Sequence, residues 1–216
     1  MICETSEICS SVSAPTLRLT SAIPPSVNHY LAYRAFMKNG RPAAMSYKTP
    51  EAERYRREFA EYVRSEAERQ GWNLPLDKWR HFYVDAVFYF DKTNCDANNY
   101  FKVMLDAITD TQLVWVDDNV VCERVQRICY DTENPRVELL IRPVDYIGVF
   151  DNAPQLDAFV SSCIGCTRYK RNCSILRNAV QGRVQSDVRN GVCLRRKERK
   201  DVHKEGTEGV YGENDL

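Results

Sequence analysis

From Arg80 to Asp91 the chain alternates in character. Phe82, Val84, Ala86, Phe88 and Phe90 share one face at period two, which predicts a strand buried on that side. The next apolar stripe has a different period. Phe101, Met104, Leu105 and Ile108 recur at i, i+3, i+4 and i+7, which predicts a helix over roughly Asn98 to Ile108. An earlier helix is expected from Pro50 to about Arg69, with Tyr55, Phe59, Tyr62, Val63 and Ala67 near helical spacing. Thr49 is its N-cap, Glu51 and Glu53 lie in its first turn, and Gly71 stops it. A strand at Thr16–Ile23 ends at Pro24-Pro25. Two further strands, 119–130 and 136–143, are joined by a Thr-Glu-Asn-Pro turn. Residues 26–48 read as a loop carrying aromatic and basic side chains. The order strand, helix, strand, helix, strand, strand places the chain in the α/β (α+β) class, as a small mixed β-sheet with two main helices.

Composition sets outer bounds. With 9 Gly and 9 Pro in 216 residues, neither a collagenous nor a Pro/Gly-rich disordered chain fits. No run of about 18 apolar residues is present, so no membrane span is expected. The start carries Glu4 and Glu7 and no basic n-region, so no secretory signal is read and a cytoplasmic location is expected. The net charge of zero hides an asymmetry. Residues 1–158 hold 18 Lys/Arg against 23 Asp/Glu, residues 159–200 hold 11 against 2, and residues 201–216 hold 1 against 5. We therefore read a flexible arm (1–15), a folded body (16–150), a basic Cys-rich segment (151–200) and an acidic disordered tail (201–216). The basic block suits contact with a polyanion, or is simply a solvated face.

The chemistry concentrates in Asn94-Cys-Asp-Ala-Asn-Asn-Tyr-Phe-Lys102, Leu105-Asp-Ala-Ile108 and Val116-Asp-Asp-Asn119. Asp96 lies between a strand and a helix, and Asp117 and Asp118 lie just before the next strand. Converging carboxylates repel unless a cation joins them, and Mg²⁺ takes oxygen ligands of this kind. Lys102 sits one helical turn after Asn98, so its ammonium can serve the same spot. The alternative is that these are turn and cap residues, with Lys102 and Asp106 an intrahelical pair.

These motifs, with Pro24-Pro25-Ser26-Val27-Asn28-His29-Tyr30, resemble the RusA-type Holliday junction resolvases over roughly residues 16–145. The resemblance makes residues 16–150 a RusA-like endonuclease domain. It implies a small mixed α/β fold, a homodimer, and Mg²⁺-dependent cleavage of four-way DNA junctions in recombination and repair. Such proteins are often encoded by prophages. The family's acidic site carries over to Asp96, Asn98 and Asp118, and its catalytic lysine to Lys102. One position departs: the family usually has Asp where Asn98 stands, which removes a negative charge beside the ion and weakens the expectation of efficient cleavage. On this reading the segment around Asn28, Tyr30, Arg34, Lys38, Arg41 and Lys48, with Lys102, meets the DNA. Its cations neutralise phosphates and its tyrosines stack at the branch. A branched-DNA-binding protein that cuts weakly or not at all is the competing reading.

Nine cysteines remain to be explained. In reducing cytoplasm a disulfide framework is not expected. Cys163-Ile-Gly-Cys166, followed by Cys173 and Cys193, predicts a zinc-stapled C-terminal extension, Gly165 letting the knuckle turn. His203 is an alternative fourth ligand, and unliganded thiols are the plainer reading. The extension's Arg168, Lys170, Arg171, Arg177, Arg183 and Arg195–Lys197 suggest an auxiliary DNA contact. It also opens a third reading, an interaction module on a degenerate nuclease body.

Overall fold

The structure is a computed structural model that describes residues 15–171 and 173–198. The acidic tail, His203, Cys3, Cys9 and the N-terminal arm short of Pro15 lie outside the described residues. The chain forms two compact units, dividing between Ile147 and Gly148.

The first unit is an α+β body. Its strands are β1 (Leu17–Ala22), β2 (Leu31–Lys38), β3 (Arg41–Lys48), β4 (Phe82–Phe90), β5 (Val121–Tyr130) and β6 (Arg136–Pro143). Its helices are α1 (Val27–Tyr30), α2 (Pro50–Arg69) and α3 (Phe101–Thr111). The main sheet runs β1-β6-β4-β5. β6 is antiparallel to both β1 and β4, whereas β4 and β5 are parallel, with Phe82 opposite Val121 and Phe90 opposite Tyr130. Parallel neighbours need a crossover, and α3 supplies it.

One face of this sheet is apolar. Every second residue of β4 from Phe82 to Phe90 is buried, and Leu17, Leu19, Val137, Leu139 and Ile141 extend the layer. Phe59, Val63 and Ala67 of α2 and Phe101, Met104, Leu105 and Ile108 of α3 close over it. Trp115 is fully buried against Phe82, its indole N–H donating to Thr109 Oγ1 at 2.7 Å. α2 starts where its cap chemistry predicts: Thr49 Oγ1 accepts from the Ala52 amide at 3.3 Å. It ends at a Gly71 with φ of +68°. The opposite sheet face is a ladder of Tyr, Arg and Asp. Arg124 lies 3.7 Å from the Tyr83 ring and Arg136 lies 3.6 Å from the Tyr89 ring. Arg124 also grips Asp85 through two 2.6 Å hydrogen bonds.

Two expectations are corrected. Residues 26–48 are not a loop: α1 is followed by a β2–β3 hairpin in full register from Leu31–Lys48 to Lys38–Arg41. Asn39 (φ +53°) and Gly40 (φ +76°) make its two-residue turn, the backbone that Asn-Gly favours in hairpins. The helix expected from Asn98 instead opens as a 3₁₀ turn, Ala97–Tyr100, and becomes α-helical at Phe101.

The second unit contains α4 (Ala153–Ile164), α5 (Ile175–Val180), β7 (Val188–Arg189) and β8 (Val192–Cys193). Asn152 caps α4 by accepting from the Gln155 amide at 3.0 Å. Phe150, Phe159, Ile175 and Ala179 form a small core. Gly148 has φ of +60°, and a Cβ there would collide with the Ala179 and Val180 carbonyls, so only glycine fits. Among the described residues no helix is long and apolar enough to cross a membrane.

The Asp85 ladder yields a pH prediction. Burial works to raise the Asp85 carboxyl, but Arg124, Gln126 and the Arg142 charge together hold it below the ordinary 3.8. A depressed pKa contributes stability above the unfolded value, lost as pH falls through the folded value. Asp85→Asn should therefore destabilise the protein by about 1–3 kcal/mol at neutral pH. In urea titrations the gap to the parent should close as pH drops below 3.8.

Candidate active site

The site is built where the crossover helix begins. Asp96 caps the 3₁₀ turn, its carboxylate accepting from the Asn98 amide at 3.1 Å. Asn99 Nδ2 approaches the same carboxylate at 3.5 Å. Asn98 is exposed beside it. Lys102 lies in the first turn of α3, and its ammonium bridges two carboxylates, Asp106 at 2.8 Å and Asp118 at 2.9 Å. Asp118 opens the 3₁₀ turn in front of β5. Lys102 thus brings the turn before β5 within one side-chain length of the α3 N-terminus, where Asp96 and Asn98 lie. Asp117 and Asp118 divide the labour: Asp117 caps the turn through the Asn119 amide at 3.0 Å, and only Asp118 meets Lys102.

Behind this surface pair lies a buried support. The Tyr30 hydroxyl donates to Asp106, and Arg56 Nη1 reaches the Tyr30 oxygen at 3.3 Å. Arg56 also binds Asp110 at 2.5 Å, one α3 turn after Asp106. Burial, then the Asp106 carboxylate, pushes the Tyr30 hydroxyl up to about 12, so it remains a donor. The Asp106 hydrogen bond raises Lys102, against partial burial, with Asp118 adding to it, so the ammonium stays charged. Pro24, Pro25, Ser26 and His29 share with Asp91 and Lys92 a groove of about 470 Å³.

The remaining expected residues are placed as follows. Asn28, Arg34 and Arg41 are exposed, the two arginines on the hairpin. Lys48 ends the hairpin with its ammonium 5.8 Å from the Tyr30 ring centre. Tyr30 itself is buried and bound to Asp106, so the tyrosines free to stack are Tyr33, 75% exposed, and Tyr47. Cys163, Cys166, Cys173 and Cys193 are free thiols in the second unit. Among the described residues, no group of three or more His, Cys, Asp or Glu side chains is arranged to hold a metal ion.

The family of endodeoxyribonuclease RusA matches residues 23–142, more than half of the chain. The chain belongs to the RusA endodeoxyribonuclease family. Comparison with curated proteins finds no match. RusA enzymes resolve Holliday junctions, which makes this chain a DNA endonuclease by family, and they are typically metal-dependent. The residues present suit a hard cation. Asp96, Asn98 and Asp118 offer only oxygen donors, and Mg²⁺ needs no more than one or two protein carboxylates when phosphate and water complete its shell. Charge points the same way. Glu123 on β5 is a further acid near Asp118, its carboxyl raised first by partial burial and then by Asp118, against the pull of Lys102.

Sequence reasoning missed Glu123 and the Arg56–Tyr30–Asp106 support. Glu123 does have a signal: it shares a face of β5 with Val121 and Val125, in register with the buried Val84 of β4, although it is itself exposed. Replacing Tyr30 by Phe should cost about 1.5–3 kcal/mol, the range for a hydrogen bond to a charged group. Tyr33→Phe, on the exposed hairpin, should stay within about 0.5 kcal/mol of the parent in the same urea titration.

Proposed function

We propose that the protein is a Mg²⁺-dependent endonuclease that cuts four-way DNA junctions in recombination and repair, acting as a cytoplasmic homodimer. The observation that carries this reading is the Lys102 ammonium held between Asp106 and Asp118, on the helix that follows the Asp96–Asn98 turn, in a RusA-family body. Asp96, Asn98 and Asp118 would hold the ion. When bound, it supplies an activated water and neutralises charge on the scissile phosphate. Lys102 presents a fixed positive charge to the same phosphate. Asp106, oriented by Tyr30, keeps that ammonium from swinging into solvent, so no reorganisation is needed as charge develops.

The hairpin supports the choice of substrate. It is exposed on both faces, and Tyr33, Met37 and Met45 project from it beside Arg34 and Arg41. Cations paired with flat side chains suit phosphates flanking an unstacked base, as at a branch point. A four-way junction has two strands to nick symmetrically, and a twofold dimer matches that symmetry. Light scattering that gives a 25.0 kDa monomer both with and without junction DNA would remove the dimer. One observation favours the second reading, a branched-DNA-binding protein that cuts weakly: Asn98 is neutral where the family pattern has Asp.

Mutagenesis separates the two. Asp96→Asn and Asp118→Asn should lower cleavage of a synthetic junction by at least about two orders of magnitude while retaining gel-shift binding. Lys102→Ala should slow cleavage strongly and binding little. Asn98→Asp should lower the Mg²⁺ concentration needed. An Asp118→Asn protein that cuts at the parent rate would sink the mechanism. A parent that binds junctions yet never cuts, even in Mn²⁺, would establish the binding reading.

A further inference from the structure

We propose that Cys163, Cys166, Cys173 and Cys193 bind one structural Zn²⁺ that holds the second unit together. The four thiols come from separate elements: the end of α4, the knuckle after Gly165, the segment before α5, and β8. All four line one cavity of about 310 Å³. Among the described residues no Asp, Glu or His lines it, and the four thiols are the soft donors, the kind that select zinc over Mg²⁺. This site is therefore chemically distinct from the acidic one on the first unit.

The cavity wall also matches the charge of such a centre. Arg168, Lys170, Arg177, Arg195 and Arg196 line it together with the thiols. Four thiolates on one Zn²⁺ leave a net charge of −2, which a cationic wall stabilises. Arg195 and Arg196 are paired with Asp187 and Glu198, which leaves Arg168, Lys170 and Arg177 as the wall's further cations. The knuckle has the matching backbone. The Cys166 amide donates to the Cys163 carbonyl at 2.9 Å, closing the turn. The Lys197 amide donates to Cys166 Sγ at 3.5 Å. Thr167 N donates to the Lys197 carbonyl at 2.8 Å, and Cys166 bridges to Glu198, so a returning segment is pinned over the knuckle.

The unit needs such a staple. Among the described residues the second unit's core is small: Phe150, Phe159, Ile175 and Ala179. Val149, Leu156, Leu176, Val180, Val188 and half-buried Cys163, Cys173 and Cys193 pack against it, and Cys166 is also buried. Domains below about 70–80 residues rarely build enough core alone. Ligation would draw each sulfur to about 2.3 Å from one ion, a rearrangement of the free thiols, which do not form a metal-holding group as they stand. Four Zn–S bonds form, four thiol protons pass to solvent, and no oxidant is involved.

The test does not depend on nuclease activity. The full-length protein, purified under reducing conditions and dialysed free of loose metal, should contain one zinc per chain. Replacing the zinc with Co²⁺ should produce thiolate-to-cobalt absorption. Cys163→Ser with Cys166→Ser should lose both, whereas Cys122→Ser with Cys129→Ser, in the first unit, should keep both. To separate loss of metal from loss of folding in the first double variant, the parent is also titrated with an organomercurial, which should release its zinc as the thiols react. A parent without zinc and without cobalt–thiolate bands overturns the proposal. So does a Cys163→Ser, Cys166→Ser protein with parental metal content, or zinc that stays bound after the thiols are blocked.

Discussion

Everything at the acidic surface depends on where one ammonium can go. Lys102 is half exposed, at 49%, and a free lysine there would sample several rotamers in water. It is caught instead between a carboxylate on its own helix and one on the turn before β5. As stability, each pair is worth little, about 0–1 kcal/mol for an exposed ion pair. Their value is geometric. Asp106 is only 16% exposed and is itself oriented by Tyr30, which Arg56 holds from α2. The position of a surface cation is thereby set by packing between α1, α2 and α3. A site fixed in this way loses precision when the helices shift, even if every surface residue is intact.

The sheet explains why that ammonium meets Asp118. β4 and β5 are parallel, so the chain must cross over the apolar face between them, and α3 is the crossover. The helix starts beside Asp96 and Asn98, and its sequel returns through Trp115 to the turn carrying Asp118. Burial of Phe101, Met104, Leu105 and Ile108 leaves Lys102 and Asp106 on the outer side of α3, four residues apart. The apolar stripe read from the sequence therefore also determines which residues face the turn.

That stripe, the β4 alternation and the Thr49–Gly71 helix limits were legible because burial on one side imposes a period and cap chemistry is local. The hairpin was not, although Asn39-Gly40 announced it. Neither strand has a buried face, so Leu31–Lys48 shows no period-two alternation, and its mixture of aromatic and basic residues imitates a loop. Tyr30 was legible as a member of the motif but not as a buried donor, because nothing local marks its partner 76 residues on. Asp117 and Asp118 looked equivalent in sequence. The 3₁₀ turn distinguishes them by using one as a cap.

Asn98 is the remaining question, and the charges around it indicate its size. A neutral amide there removes one negative charge beside the ion. At 4 Å such a charge is worth about 1 kcal/mol in water and about 4 kcal/mol at an effective dielectric of 20. Asn98 is exposed, which places the loss toward the lower figure, about tenfold or less in affinity. Partial burial first, and the Asp118 charge second, raise the Glu123 carboxyl beside it. Bringing a divalent cation to that neighbourhood relieves the repulsion, a gain that does not depend on residue 98. A carboxamide also retains the oxygen that a hard cation accepts. The substitution therefore acts on how much metal the site requires, and leaves its oxygen donors and the Lys102 charge in place.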